Sequence, residues 1–213
     1  MRAMRAEGFG GYGDLKPADI PKPQVSEGRV LVKIAAAGVT PLEHTILSGG
    51  HPRARAPLVL GSEGAGVVED ANGSDFSVGA RVMFTGPYGV SEDGAYSEYL
   101  AVRKENLSLI PGNVEDVSAA GVPVAYLTAH MALTLSGFQA GKTVLSPAIG
   151  GSVGNAVTQL ARALGARHSM STTTSHAKAE LASTLGFDEV IDLSTEKLGE
   201  GVRRITGATV RIL

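Results

Sequence analysis

The segment LSPAIGGSVGNAVTQLARALGA, residues 145–166, decides the fold class of this 213-residue chain. A short apolar run leads into three glycines, Gly150, Gly151 and Gly154. After them, apolar side chains recur at the spacing of a helix with one buried face: Val153, Ala156, Val157, Leu160, Ala161 and Leu164. The pattern predicts a strand, a glycine turn and a helix over residues 152–164.

A glycine turn at a helix N-terminus is typical of a phosphate-binding site. The first N–H groups of a helix lack intrahelical partners and the helix dipole is positive there, so an anion can bind if no side chain blocks its approach. Gly151 and Gly154 keep the G-x-x-G half of the dinucleotide fingerprint, whereas Ala148 stands where a first glycine is expected. The candidate contacts to a diphosphate are Gly150, Gly151, Ser152, Val153 and Gly154. A structural turn without a ligand remains the alternative.

The second part of the chain alternates between helices and strands. The pattern predicts helices over residues 125–136 and 176–185, in addition to the one at 152–164, and strands over 143–146, 167–171 and 189–191, with a fourth strand at 209–213. Such alternation is typical of βαβ units and a parallel sheet.

The first part of the chain has a different sequence pattern. Glycine or proline interrupts it every few residues, and short β-rich runs occur at residues 29–34, 64–69 and 80–84. This predicts a β-rich domain of short strands over residues 1–123, followed by an α/β domain over residues 124–213.

Composition excludes several functional classes. With 43% hydrophobic and 19% charged residues, the chain has a globular composition, and its net charge of −2 without a basic block argues against a nucleic-acid partner. The N-terminal arginines precede glycine and acid rather than an apolar stretch, which argues against a signal peptide or membrane span and makes the cytoplasm the expected location. Cysteine is absent, so disulfides, thiol nucleophiles and thiolate metal ligands are excluded.

The next predicted strand bears on the choice of dinucleotide. In an NAD site, an acidic residue about 20 residues beyond the glycines binds the adenosine ribose. Residues 167–178 contain no acid, but they include Thr174, Ser175 and Lys178, which could bind the additional 2′-phosphate of NADPH. NADPH is therefore the expected cofactor. In the alternative interpretation Thr174 and Ser175 cap the following helix and Lys178 is a solvated surface residue, although capping and phosphate binding are compatible.

The order of motifs along nearly the whole chain resembles a known family. The stretches are GRVLVKIAAAGVTPLEH, LVLGSEGAGVVE, GARVMF, GAYSEYLAV, AAGVPVAYLTAHMAL, GKTVL, GGSVGNAVTQLARALGA and KAELASTLGFDEVID. They are similar to the zeta-crystallin-like quinone oxidoreductases of the medium-chain dehydrogenase/reductase superfamily. The resemblance implies a GroES-like β-barrel domain, a Rossmann domain with a doubly wound parallel sheet, and NADPH-dependent reduction of quinones or α,β-unsaturated carbonyls between the two.

The resemblance also implies where the substrate side of the site lies. Thr40 stands where many relatives have asparagine, and Thr45 and His51 stand where tyrosines are common, so three expected catalytic positions depart from the usual pattern. Tyr96 is a fourth candidate, with a packing role in a short strand as its alternative. Thr128 is expected near the nicotinamide.

Zinc is not expected. Zinc-dependent relatives have Gly-His-Glu at the position of Gly61-Ser62-Glu63, so the histidine ligand is replaced by Ser62. A catalytic zinc needs three well-placed protein ligands. His44 and His51 lie in a predicted loop and do not form a set of three zinc ligands.

The Rossmann domain is expected to be partial. A dinucleotide-binding sheet has two βαβαβ halves, and residues 124–213 supply strands for only one of them. A complete sheet would allow a homodimer of the kind that relatives form. The alternative to an enzyme is therefore a non-catalytic remnant that binds nucleotide weakly or acts as an interaction module.

Overall fold

The computed structural model describes residues 1–185, 187 and 189–207. The chain divides into two compact units, Met1–Val124 and Ala125–Leu213. The first unit is β-rich and the second alternates between strands and helices, which confirms the fold class expected from the sequence.

Two antiparallel sheets build the first unit. Its strands are β1 (Arg2–Ala6), β2 (Leu15–Asp19), β3 (Arg29–Ala37), β4 (Leu58–Val59), β5 (Glu63–Asp70), β6 (Arg81–Thr85), β7 (Tyr99–Arg103) and β8 (Leu107–Leu109). The larger sheet has the order β7-β3-β5-β6-β8, and the smaller one has the order β2-β1-β4. Alternating side chains of the larger sheet, including Val30, Val32, Val82 and Phe84, form a buried core.

Two helices accompany these strands: α1 (Pro41–Leu47) and α2 (Asp116–Ala120). Thr40 is the N-cap of α1 and forms a capping box with Glu43, and Pro41 occupies the first turn. His44 therefore lies in a helix, so its expected loop placement is wrong, whereas His51 does lie in a loop. The sequence signal was the Thr-Pro-x-Glu pattern at residues 40–43, which specifies a helix start even where the following helix is short.

The second unit contains most of α3 (Pro123–Leu135), followed by β9 (Thr143–Ser146), α4 (Ser152–Ala163), β10 (His168–Thr173), α5 (His176–Thr184), β11 (Val190–Asp192) and α6 (Leu198–Thr206). Its three strands form a parallel sheet in the order β11-β10-β9. The predicted strand at residues 209–213 lies outside the described residues.

Helices cover this small sheet on both faces. The hydroxyl of Ser169 in β10 donates to the Thr158 carbonyl of α4 at 2.7 Å. The next residue, Met170, points to the opposite face, where it is buried with Ile191 and with Val202 of α6. The carboxyl ends of the strands lie at one edge, where ligands of doubly wound folds bind.

Candidate functional site

The glycine turn between β9 and α4 is held by the neighbouring strand. The Ile149 N–H donates to the Thr172 carbonyl at 2.9 Å, and the Ala148 N–H lies 3.1 Å from the Thr172 hydroxyl oxygen. Ala148 has a φ of 63°, a left-handed conformation that favours glycine, so the backbone retains the shape of the fingerprint's first glycine although the residue differs. The turn is thus pinned to the end of β10.

Gly154 allows α4 to approach this turn closely. A methyl group built on Gly154 would lie 2.3 Å from the Pro147 carbonyl oxygen and 2.4 Å from that of Ala148. Backbone atoms would have to move to admit any side chain. The third glycine of the motif is therefore a packing requirement of the turn.

A cavity of about 370 Å³ lies over the turn, at the carboxyl ends of β9 and β10. It is lined by Pro147, Ala148, Gly150, Gly151, Thr172, Thr173, Thr174 and Lys178. Four of the candidate cofactor residues, Gly150, Gly151, Thr174 and Lys178, are therefore brought together. Sequence reasoning missed Thr172 and Thr173, although both end a strand of a parallel sheet, which is where such sites form.

Lys178 gives this cavity its positive charge. A methyl group built on Gly150 would lie 3.7 Å from Lys178 Nζ, so the exposed ammonium group lies directly over the turn. No acidic residue lines the cavity within the described part of the chain. The site therefore combines backbone N–H groups at a helix start with a lysine, an arrangement that can bind two separate phosphate groups.

The remaining candidate cofactor residues do not line the cavity over the turn. Ser152 and Val153 form the first turn of α4, where their N–H groups have no partner inside the helix. Ser175 is the N-cap of α5, but among the described residues its side chain makes no capping hydrogen bond. Thr128 lies on the exposed side of α3 and does not line the cavity over the turn.

In the first unit, Thr40 and Ser62 share one buried carboxylate. The Thr40 N–H and hydroxyl donate to Glu43 Oε2 at 2.8 and 2.7 Å. The Ser62 N–H and hydroxyl donate to Glu43 Oε1 at 3.0 and 2.9 Å. Both hydroxyl groups are thus engaged by Glu43, which is only 5% exposed.

The other three catalytic candidates lie near the same helix or beneath it. Thr45 is exposed on α1 and donates to the Pro41 carbonyl at 3.1 Å. His51 is half-buried in the following loop. Tyr96 lies in a bend rather than a strand and donates to the Gly38 carbonyl at 3.3 Å.

Tyr96 is kept in its protonated form by its surroundings. Its pKa is raised by burial and further by the nearby carboxylates of Glu43 and Glu63. The phenol therefore serves as a hydrogen-bond donor and not as a base at neutral pH.

Glu63 supplies a prediction about pH-dependent stability. It is 3% exposed, accepts a hydrogen bond from the Val124 N–H at 2.8 Å, and has a pKa raised first by burial and also by Glu43. Because the pKa of Glu63 is higher in the folded than in the unfolded state, its protonated form stabilises the fold at pH values below the unfolded-state pKa. This stabilisation is lost as the pH rises through the folded-state pKa. Glu63→Gln is therefore expected to raise the melting temperature of the first unit at about pH 7 and to leave it unchanged at about pH 4.

Thermal unfolding of both proteins at the two pH values checks this expectation. Glu43→Gln is the matched control, because Glu43 accepts four hydrogen bonds in the same region and should lose stability when neutralised at neutral pH. A Glu63→Gln variant that melts below the wild type at neutral pH would contradict the assignment.

Neither a cluster of metal-binding side chains nor a membrane-spanning helix occurs in the described part of the chain. In residues 1–185, 187 and 189–207, histidine, aspartate and glutamate side chains form no group of three that could hold a metal ion. Within the same ranges, no helix combines the length and apolar character needed to cross a membrane.

Comparisons with known proteins agree with this architecture. Residues 26–112 match the alcohol dehydrogenase GroES-like domain. The chain is 34% identical over 208 residues to the NADPH-dependent alkenal/one oxidoreductase of Arabidopsis thaliana chloroplasts, covering 93% of this chain and 54% of that protein. It is 36% identical over 168 residues to the quinone oxidoreductase of Lama guanicoe, covering 76% of this chain and 50% of that protein.

The fold is shared with a solved structure of an NAD-dependent alcohol dehydrogenase. The two superpose with a TM-score of 0.87 at 30% identity, covering 97% of this chain and 68% of the other. The chain spans about half the length of the curated relatives it matches. On the GroES-like domain, the parallel sheet with its glycine turn and these similarities, the chain belongs to the medium-chain dehydrogenase/reductase superfamily and is related to its quinone and alkenal/one oxidoreductases.

Proposed function

We propose that the chain forms part of a zinc-independent oxidoreductase that uses NADPH to reduce a quinone or an α,β-unsaturated carbonyl compound. The observation that carries this proposal is the position of Lys178 over the glycine turn, in a cavity that no acidic residue of the described ranges lines. Relatives include both an NADPH-dependent and an NAD-dependent protein. The preference of this chain for NADPH or NADH therefore has to be inferred from its own residues.

The cavity suits a dinucleotide diphosphate and its 2′-phosphate. A side chain at Gly150 would enter the space beside Lys178, and one at Gly151 would lie 3.3 Å from the Ala148 carbonyl oxygen. Because both positions are glycine, the approach to the first turn of α4 is open. In this proposal the N–H groups of Gly150, Ser152 and Val153 bind the diphosphate, while Gly151, whose N–H donates to the Ala148 carbonyl at 2.9 Å, keeps the approach open. Lys178 and the hydroxyl groups of Thr174 and Ser175 bind the 2′-phosphate.

When bound, NADPH supplies the hydride that reduces the substrate. The chain's own residues then have to bind, orient and donate hydrogen bonds. We assign Thr40, Thr45, His51 and Tyr96 to the substrate side and Thr128 to the nicotinamide side. Of these, Tyr96 has the clearest chemistry, because its raised pKa keeps a proton on the phenol oxygen.

Zinc independence is supported by the state of Ser62. Both its hydroxyl and its N–H donate to Glu43, so the position that carries a histidine ligand in zinc-dependent relatives has a structural hydrogen-bonding role. A serine hydroxyl is not among the usual zinc ligands, which are thiolates, imidazoles and carboxylates.

A second candidate function is nucleotide binding without turnover. It is favoured by the location of the cofactor cavity, since every described residue that lines it lies between residues 147 and 178 of the second unit. Such a site could bind NADPH whether or not a substrate site is complete.

Binding and turnover measured on the same preparation test these alternatives. Fluorescence titration should give saturable NADPH binding, and NADPH oxidation with 1,4-naphthoquinone or an enone should be unaffected by a zinc chelator. Tight binding without oxidation of NADPH would favour the binding module. Failure to bind NADPH would overturn both candidate functions, and inhibition by the chelator would overturn zinc independence.

A further inference from the structure

His176 is the first residue of α5, at the carboxyl edge of the parallel sheet. It follows β10 in the chain and contacts the end of β11 through its side chain. Its Nδ1 lies 2.8 Å from Oδ2 of Asp192, the last residue of β11. Its Nε2 lies 3.6 Å from Glu180 Oε1, one turn further along α5. Each ring nitrogen therefore faces a carboxylate: Nδ1 is within hydrogen-bond distance of Asp192, and Nε2 forms an ion pair with Glu180 only when the imidazole is protonated.

Asp192 is a fixed partner for this ring. Its other carboxylate oxygen accepts hydrogen bonds from the Ser194 N–H at 2.9 Å and the Ser194 hydroxyl at 2.5 Å. The Asp192 side chain is only 11% exposed, whereas that of His176 is 67% exposed. The hydrogen bonds from Ser194 and His176 lower the pKa of Asp192 to about 2, so it remains a carboxylate at any ordinary pH.

The turn that His176 anchors also carries Lys178. The Lys178 N–H donates to the Ser175 carbonyl at 3.1 Å, which closes the first turn of α5. Ser175 is itself tied to β10, since its N–H lies 3.2 Å from the Thr173 hydroxyl oxygen. The first turn is thus fixed to β10 through Thr173 and to β11 through His176 and Asp192.

We propose that His176 is a positioning residue for NADPH: through its bridging contacts with Asp192 and Glu180 it fixes the first turn of α5 and so holds Lys178 in the cavity over the glycine turn, where the Lys178 ammonium binds the 2′-phosphate. This inference rests on the proposed function and adds a specificity determinant to it. His176 acts through Lys178, and NADH, which lacks the 2′-phosphate, does not depend on the bridge.

The bridge depends on the charge of the imidazole. The hydrogen bond to Asp192 and the charge of Glu180 raise the pKa of His176, so the bridge is complete below about pH 6.5 and is lost as pH rises through the higher folded value. Among the described residues, Asp192 on β11 and Glu180 on α5 are the charged groups that act on it. The 2′-phosphate itself titrates near pH 6 in the opposite sense, because its dianion binds cations better.

Comparison with His176→Gln separates the two titrations. Glutamine can donate one hydrogen bond to Asp192 but cannot be protonated, while the phosphate titrates equally in both proteins. His168→Gln is the matched control, since His168 also contacts a carboxylate, with its Nδ1 2.6 Å from Glu189 Oε1, but at the start of β10, away from the cavity. Dissociation constants for NADPH and NADH are measured by fluorescence titration from about pH 6 to about pH 9.

At about pH 6 the wild type is expected to bind NADPH about threefold more tightly than His176→Gln, and at about pH 9 the two should be equal. NADH binding should be the same in both at every pH, and His168→Gln should follow the wild type. If wild type and His176→Gln bind NADPH equally throughout, or differ equally for NADH, the positioning role is wrong while the proposed function stands. If the wild type does not bind NADPH at all, both proposals fall.

Discussion

Lys178→Glu is expected to weaken NADPH binding about a hundredfold while changing NADH binding by less than about threefold. The ammonium of Lys178 lies over Gly150 and would form a charge-assisted hydrogen bond with the 2′-phosphate. The substitution removes that bond and places a carboxylate against the phosphate. The effect should appear in the dissociation constant measured by fluorescence titration.

Lys142→Glu is the matched control for this charge reversal. Lys142 belongs to the same unit and is also exposed, but it precedes β9, at the opposite edge of the sheet from the glycine turn. It should therefore leave NADPH affinity nearly unchanged. Equal NADPH affinity in the wild type and Lys178→Glu would refute the assignment of Lys178 to the 2′-phosphate. If Lys178→Glu and Lys142→Glu lost NADPH affinity equally, the loss would be a general effect of charge and not a contact with the 2′-phosphate.

Gly154→Ala is expected to lower the free energy of unfolding of the second unit by about 3 kcal/mol. The added methyl group would lie 2.3 and 2.4 Å from the carbonyl oxygens of Pro147 and Ala148. These are backbone atoms of the turn, so α4 would have to move away from it. NADPH binding should be lost together with stability, because the same movement displaces the first turn of α4.

Gly199→Ala controls for the general effect of replacing a helical glycine. Gly199 lies in α6, where an added methyl group would have no described atom within 4 Å apart from its own helix backbone and chain neighbours. Alanine favours helix over glycine by about 1 kcal/mol, so this variant should be at least as stable as the wild type. Chemical denaturation of the wild type, Gly154→Ala and Gly199→Ala measures these differences in the free energy of unfolding. A Gly154→Ala variant as stable as the wild type would contradict the close packing of α4 on the turn.

Elements with a regular apolar period were predictable from the sequence. The prediction of a helix over residues 152–164 matches α4 within one residue, and the strand at 143–146 matches β9. The predicted strand over 167–171 ends two residues early, because β10 continues through Thr172 and Thr173. Those hydroxyl-bearing residues carry no apolar signal, yet β-branched side chains fit a strand well.

Helix α6 was missed because its composition opposes a helix. Two glycines occur in Leu198–Thr206 and reduce its helix propensity. Tertiary packing outweighs that cost: Leu198, Val202 and Ile205 pack in the Met170 and Ile191 cluster. Gly201 is needed there, since a methyl group on it would lie 2.5 Å from Ile191 Cγ2. The i, i+4, i+7 spacing of the three apolar residues was the available signal.

The candidate site was predictable where it depends on the backbone and less so where it depends on contacts far apart in sequence. The glycines and Lys178 could be identified because a helix start and a nearby cation suffice to describe phosphate binding. The pairing of His176 with Asp192 joins residues 16 positions apart on two elements, and no local pattern indicates it. The engagement of Ser62 by Glu43, 19 residues away, could not be predicted for the same reason.

A crystal structure of the chain in complex with NADPH would show directly whether the glycine turn and Lys178 hold the phosphate groups of the cofactor. We expect the diphosphate to lie against the N–H groups of Gly150, Ser152 and Val153, and the 2′-phosphate to lie within about 3 Å of Lys178 Nζ. Electron density for NADPH elsewhere on the chain, or a 2′-phosphate directed away from Lys178, would contradict it.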